Sequence, residues 1–161
     1  IYYDLGQNDK ALEYYNKSID FNPKDFSPYY NRGCVYYVDM KQIDRALKDF
    51  DKSINLNPRD SDSYCYRGNI YRDREQLDKA IDDYNKAIEI DPNSALYYNN
   101  RGVAYGRKGI YDKALSDFDK ALEINPNDSR AKSNRSFYYN KKKMSEKSKK
   151  NLLNGIKDAT E

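Results

Sequence analysis

The chain has 161 residues, 38% hydrophobic and 34% charged, with a formal net charge of +3; at a mean hydropathy of -1.14 it is too hydrophilic for one large globular core. Eighteen Tyr and five Phe nevertheless exclude a disordered chain, because each ring buries enough apolar area to oppose the entropy of ordering. No apolar run reaches the roughly 18 residues of a membrane-spanning helix, and no signal-peptide pattern opens the chain, so a soluble, cytoplasmic protein is expected.

Residues 1–25 read as a truncated repeat. Ile1, Tyr2 and Leu5 are the stub of a first helix, expected to leave apolar surface uncovered where upstream repeats would pack; Ala11 opens a second helix that Asp20-Phe21-Asn22-Pro23 closes. Residues 26–60 carry the same phrases in full: Arg32-Gly33, then Ala46, then Asn55-Leu56-Asn57-Pro58. Residues 61–94 repeat them as Arg67-Gly68, Ala80 and Glu89-Ile90-Asp91-Pro92, and residues 95–128 as Arg101-Gly102, Ala114 and Glu123-Ile124-Asn125-Pro126. Pro58, Pro92 and Pro126 lie 34 residues apart, and Pro23 precedes Pro58 by 35. The extra residue falls between Gly33 and Ala46, where it is expected to lengthen a loop. Residues 129–161 form a degenerate copy, with Arg135-Ser136, then Ser148, Leu152 and Gly155 in place of Ala, aromatic and Ala, and no closing Pro. Lys143, Lys147 and Lys150 give this copy the polar surface of a capping repeat. Glycine and proline are few and spaced, so one continuous domain over residues 1–161 is expected.

Each repeat predicts two helices. Ala80, Ile81, Tyr84, Ala87 and Ile88 recur at steps of three and four, as do Ala114, Leu115, Phe118, Ala121 and Leu122. Asp44, Asp78 and Asp112 stand before these stripes as expected helix caps, and the prolines end them. Gly33, Gly68 and Gly102 sit mid-helix, where each costs about 1 kcal/mol against Ala. Close approach of the partner helix at Ala46, Ala80 and Ala114 compensates, with Phe50, Tyr84 and Phe118 filling the space beside them.

The pattern resembles the tetratricopeptide repeat. Tyr98, Gly102, Tyr105, Ala114, Phe118, Ala121 and Pro126 meet it in one repeat, and Tyr64, Gly68, Tyr71, Ala80, Tyr84, Ala87 and Pro92 in the one before. The resemblance implies an all-α fold, a right-handed α-solenoid of antiparallel helix pairs, whose concave groove binds a protein or peptide.

Helical phase puts Tyr30, Tyr37, Asn69, Arg72, Asn99, Arg107 and Arg130, with Cys34, Cys65, Val103, Phe137 and Lys141, on the face opposite the glycine contacts. Asn can pair with a peptide backbone, and Arg grips carboxylates in a fork, so an extended acidic peptide is the expected guest. Some members of the family hold a peptide's terminal carboxylates with Lys, Asn, Asn, Lys and Arg. By that resemblance Asn69 and Asn100 take the two Asn places and Arg130 one Lys place, while Cys65 and Asn134 replace the other two cations. Arg32, Arg67, Arg101 and Arg135 recur once per repeat, as do Asp49, Asp83 and Asp117; they read as structural ion pairs, or alternatively as a ladder of anion sites.

No catalytic constellation appears: there is no His, no phosphate loop, no GxSxG and no metal-spaced cysteine cluster. Ser129-Arg130-Ala131-Lys132 lacks the companion motifs of an SxxK enzyme, and Gly102, Gly106 and Gly109 follow no strand. No catalytic residue, metal or cofactor is therefore expected, and the chain reads as a non-catalytic scaffold. The alternative is a substrate-presenting arm of a larger enzyme. Cys34 and Cys65 form no CxxC pair and are expected as free thiols, a disulfide being the lesser reading. Residues 129–161 hold ten Lys or Arg against three Asp or Glu, yet Lys141 to Lys150 has no interleaved aromatic, so nucleic acid is not expected as a partner. Nor is a membrane, and the chain is expected to be a monomer.

Overall fold

Each second helix stops because a proline follows it. In the computed structural model, which describes residues 7–158 and side chains through 154, these helices are α1 (Asn8–Phe21), α3 (Ile43–Leu56), α5 (Leu77–Ile90) and α7 (Tyr111–Ile124). The residue after each, Asn22, Asn57, Asp91 and Asn125, leaves helical geometry while its N–H still bonds back four residues. Asn57 Oδ1 then accepts the Arg59 N–H at 3.2 Å, and Asn125 Oδ1 that of Asn127 at 3.2 Å, so the side chain replaces the helix as partner in the turn.

The first helices of the repeats are α2 (Ser27–Cys34), α4 (Ser61–Asp73), α6 (Ala95–Arg107) and α8 (Ser129–Asp158). The described residues are helical and turn structure only, an all-α array of antiparallel pairs of the solenoid class. Turns within a pair pivot on a left-handed residue, Lys41 (φ 55°), Glu75 (φ 57°) or Gly109 (φ 77°). Contacts gather into two compact units, one through Pro92 and one from Asn93 on. The expectation for Ile1, Tyr2 and Leu5 lies outside the described residues.

Three local expectations are corrected. The extra residue of the 35-residue repeat does not simply lengthen a loop: α2 continues into a π turn, Val35–Asp39, where the Met40 N–H reaches the Val35 carbonyl at 3.1 Å. The Gln42 N–H then closes on the Tyr36 carbonyl, whereas Gln76 and Ile110 close on Tyr71 and Tyr105, one residue nearer. The helix absorbs the insertion because a wider turn keeps the backbone bonded, which an open loop would not. Asp44, Asp78 and Asp112 are not caps: the helices begin one residue earlier, at Ile43, Leu77 and Tyr111, and make no side-chain cap bond. They lie in the first turn, where a carboxylate favours the helix dipole, and Asp44 pairs with Arg74 and Asp112 with Lys142. The degenerate copy, read as a repeat with its own second helix at Ser148, Leu152 and Gly155, is one uninterrupted helix of 30 residues. Neither Gly nor Pro stands between Ser129 and Asn154, so nothing local stops it.

Packing within pairs follows the small residues. A Cβ on Gly33 would lie 2.9 Å from the Phe50 ring, and one on Gly68 would lie 2.8 Å from Tyr84 and 3.3 Å from the Ala80 carbonyl. Gly102 meets Phe118 at 2.7 Å in the same way. Phe50, Tyr84 and Phe118 are fully buried, and burying such a ring stabilises by about 1.5–3 kcal/mol.

Arginine forks lock the pairs. Arg32 grips Asp49 through Nε (2.8 Å) and Nη2 (2.7 Å), Arg67 grips Asp83 (2.9 and 2.7 Å), and Arg101 grips Asp117 (2.9 and 2.7 Å). The third nitrogen reaches the preceding repeat in the first unit: Arg32 Nη1 to Asn16 Oδ1 at 2.6 Å, Arg67 Nη1 to Asp51 Oδ1 at 2.8 Å. Each guanidinium is also sandwiched by two tyrosines, Tyr64 at 5.5 Å and Tyr71 at 5.9 Å for Arg67. Burial lifts the Asp83 carboxyl above its ordinary range, and the Arg67 charge draws it back only in part. These arginines are therefore structural pairs rather than anion sites.

Candidate functional site

In the first unit, Tyr66 on α4 organises the predicted face. Its ring stacks on Phe50 at 5.5 Å and 16°, while Tyr30 and Tyr37 meet it edge-on at 5.9 and 6.3 Å. The Tyr37 hydroxyl donates to Asp73 Oδ2 at 2.6 Å, and Arg72 Nη2 lies 3.1 Å from the other oxygen of that carboxylate. Asn69 Oδ1 accepts the Tyr84 hydroxyl at 2.8 Å. The face thus brings together Tyr30, Tyr37, Asn69 and Arg72, and adds Tyr66 and Asp73, which the sequence reading missed. A signal for Tyr66 existed: it occupies the place that Asn100 and Asn134 hold in later repeats, an aromatic where a polar residue recurs.

The phenols and the thiol of this face stay protonated. Burial pushes the phenols of Tyr30 and Tyr37 above their ordinary value, helped at Tyr37 by its bond to Asp73. Burial likewise pushes the Cys34 thiol up to about 12, against a smaller lowering by its hydrogen bond with Tyr30. At neutral pH these groups are neutral hydrogen-bond donors, and the thiol is not a nucleophile.

Cys34 and Cys65 are both buried thiols outside any disulfide, so they do not line an open surface. Native chain should react with a thiol reagent far more slowly than free cysteine at pH 8, and release both thiols together on unfolding. Since the folded state holds the Cys34 proton above the ordinary thiol value, this group's contribution to stability is intact below about pH 9. It is lost as pH rises toward about 12, where folded Cys34 ionises. Rapid labelling of folded chain at pH 8 would contradict the burial.

In the second unit Asn99 and Asn100 are 5% and 7% exposed, and Asn134 Nδ2 donates to Asn99 Oδ1 at 2.9 Å. Both asparagines act from within the helix pair. Arg107 and Arg130 are exposed, and Arg130 Nε stands 3.9 Å from Asp128 Oδ1. Phe137 meets Tyr138 edge-on at 5.0 Å, with Lys141 Nζ 5.5 Å from the Phe137 ring centre. Arg130, Asn134, Phe137 and Lys141 share one stripe of α8 by their spacing.

Among the described residues no His, Cys, Asp or Glu cluster could hold a metal ion, and no helix is long and apolar enough to cross a membrane.

Family models place this geometry. One described as TPR repeat matches residues 1–39 and 68–109, and three described as tetratricopeptide repeat match residues 26–60, 50–82 and 95–128. No curated protein matches the chain. Among solved structures, MamA is 33% identical over 78% of this chain and 72% of its own, with a TM-score of 0.69. The Arabidopsis OM64 TPR domain is 26% identical over 70% of this chain and 93% of its own, at 0.67. The first TPR of Spaghetti (RPAP3), solved bound to HSP90 peptide SRMEEVD, is 20% identical over 72% of this chain and 91% of its own, at 0.69; at that identity the likeness is one of fold. With its helix pairs, its glycine-to-ring contacts and models matching from residue 1 to residue 128, the chain belongs to the tetratricopeptide repeat family, whose fold serves as a protein-interaction scaffold.

Proposed function

We propose that the chain is a non-catalytic scaffold that binds an extended, acidic peptide segment of another protein on the faces of its first helices. The observation that carries this reading is the half-buried tyrosine cluster around Tyr66, edged by Arg72 and Asn69. Aromatic surface beside donors suits a peptide side chain and its backbone, because rigid rings give contact area at little entropic cost. In the second unit Arg107 and Arg130 supply exposed positive charge for carboxylates, while Asn99 and Asn100 position the helices beneath.

The peptide bound to the Spaghetti TPR, SRMEEVD, is acidic near its end. A terminal-carboxylate grip would need cations where Cys65 and Asn134 stand here, so an internal acidic segment is the better guest.

Fluorescence titration of a panel of labelled acidic and neutral peptides tests the reading. Acidic members should bind, and Arg107→Ala with Arg130→Ala should weaken them about tenfold, the scale of one charge-assisted hydrogen bond. Asn69→Ala should do so by a smaller factor. Equal affinity for acidic and neutral peptides, or indifference to all three changes, would overturn it.

A further inference from the structure

Between α7 and α8 lies an open groove of about 460 Å³ lined by Leu115, Asp119, Arg135, Ser136 and Tyr139. Two repeats earlier the same positions are Leu47, Asp51, Arg67, Gly68 and Tyr71. There α5 docks, setting Asp83 on Arg67 and Tyr84 against Gly68. In the open groove Arg135 Nε lies 2.6 Å from Asp119, the counterpart of Asp51, but its side chain is 53% exposed where that of Arg67 is 20%. The groove is therefore built to receive a second helix of this repeat pattern.

A segment with that pattern exists on the same chain. Counting 34 residues on from α7 sets Ser148 at the place of Ala114, Asn151 at that of Asp117, Leu152 at that of Phe118 and Gly155 at that of Ala121. Leu152 and Leu153 are 67% and 61% exposed. The segment cannot reach its own groove, because α8 runs straight through: Lys143 holds the register of Lys41, Glu75 and Gly109, yet is helical. At 1.5 Å per residue, Leu152 lies roughly 24 Å along the axis from Ser136.

We propose that this groove is filled by residues 145–158 of a second copy, so that two chains pair through antiparallel α8 helices. The partner's Leu152 packs over Ser136, its Asn151 meets Arg135, and its lysine-rich segment approaches Asp119. The arrangement is isologous, each copy filling the other's groove, and it replaces an intrachain hairpin by the same contacts made between chains. Its two-fold axis passes near residue 144, midway between 136 and 152, bringing the two Met144 side chains together; Met144 is 67% exposed in the single chain. The monomer expected from sequence gives way, in this proposal, to a pair.

Sedimentation of the 161-residue chain across micromolar to submillimolar concentration tests it. The mass should move from one chain toward two, and Leu152→Asp should shift the midpoint at least tenfold upward. Leu152 is exposed in the single chain, so helix content at low concentration should be unchanged, which separates lost pairing from lost folding. Met144→Cys should form a disulfide-linked dimer on oxidation, whereas Ser133→Cys should not. A single chain at every concentration overturns the proposal, as does pairing indifferent to Leu152→Asp. So does an intrachain disulfide in a Ser136→Cys, Leu152→Cys double variant, which would show α8 folding back on itself.

Discussion

Arg67→Ala is expected to lower the unfolding free energy by about 4 kcal/mol, within the range for removing one partner of a buried ion pair. Three consequences combine. Asp83, with 8% of its side chain exposed, loses both guanidinium bonds, and Asp51 loses its own at 2.8 Å. The rings of Tyr64 and Tyr71 lose the cation between them, and a space opens where the guanidinium lay. Arg67→Lys should recover little, since an ammonium cannot reproduce a planar two-pronged grip on one carboxylate while reaching a second. Urea unfolding of Arg67→Ala, Asp83→Ala and the double variant measures this. The double variant should lose distinctly less than the sum, because each single change strands the other's charge. A loss below about 1 kcal/mol for Arg67→Ala would place the fork among exposed surface pairs instead.

Gly106→Ala is expected to destabilise the second unit by about 2–3 kcal/mol, against the direction of helix propensity. On propensity alone the change gains about 1 kcal/mol. The added methyl, however, would overlap three atoms of the Tyr138 ring. That ring has little room to move, since it stacks on Phe118 at 5.7 Å and 17° and is 8% exposed. Overpacking of this kind costs about 1–3 kcal/mol and occasionally more, and here the contact is close enough to win. Thermal unfolding followed by circular dichroism reads the result, and Tyr138→Leu placed in the Gly106→Ala background should recover part of the loss. A more stable Gly106→Ala chain would show that α8 can shift away from α6.

Gly106 also marks the border between what was legible beforehand and what was not. Its neighbour in the pattern, Gly102, has counterparts in Gly68 and Gly33, each with a ring 16 or 17 residues downstream, so periodicity alone pairs it with Phe118. Gly106 does not recur, and its partner lies 32 residues away on another helix, where no local rule points. The π turn at Val35–Asp39 is a similar case: counting residues revealed one too many, but whether loop or helix took it up depended on backbone hydrogen bonding that only the folded turn displays. Likewise Tyr66 became visible as the centre of the tyrosine face only once Phe50, Tyr30 and Tyr37 were seen around it.

The family and the structural pairing of Arg32, Arg67 and Arg101 were written in the chain itself, because near-identical contacts recurring every 34 or 35 residues leave a period in the sequence. The course of α8 was not. Ser148, Leu152 and Gly155 keep the register of a second helix, yet no residue near Lys143 forces a turn, so continuous helix and hairpin are both compatible with the local sequence. Only the folded structure shows which is taken: α8 runs on as one helix from Ser129 to Asp158, its backbone bonded throughout, and an open groove is left beside it.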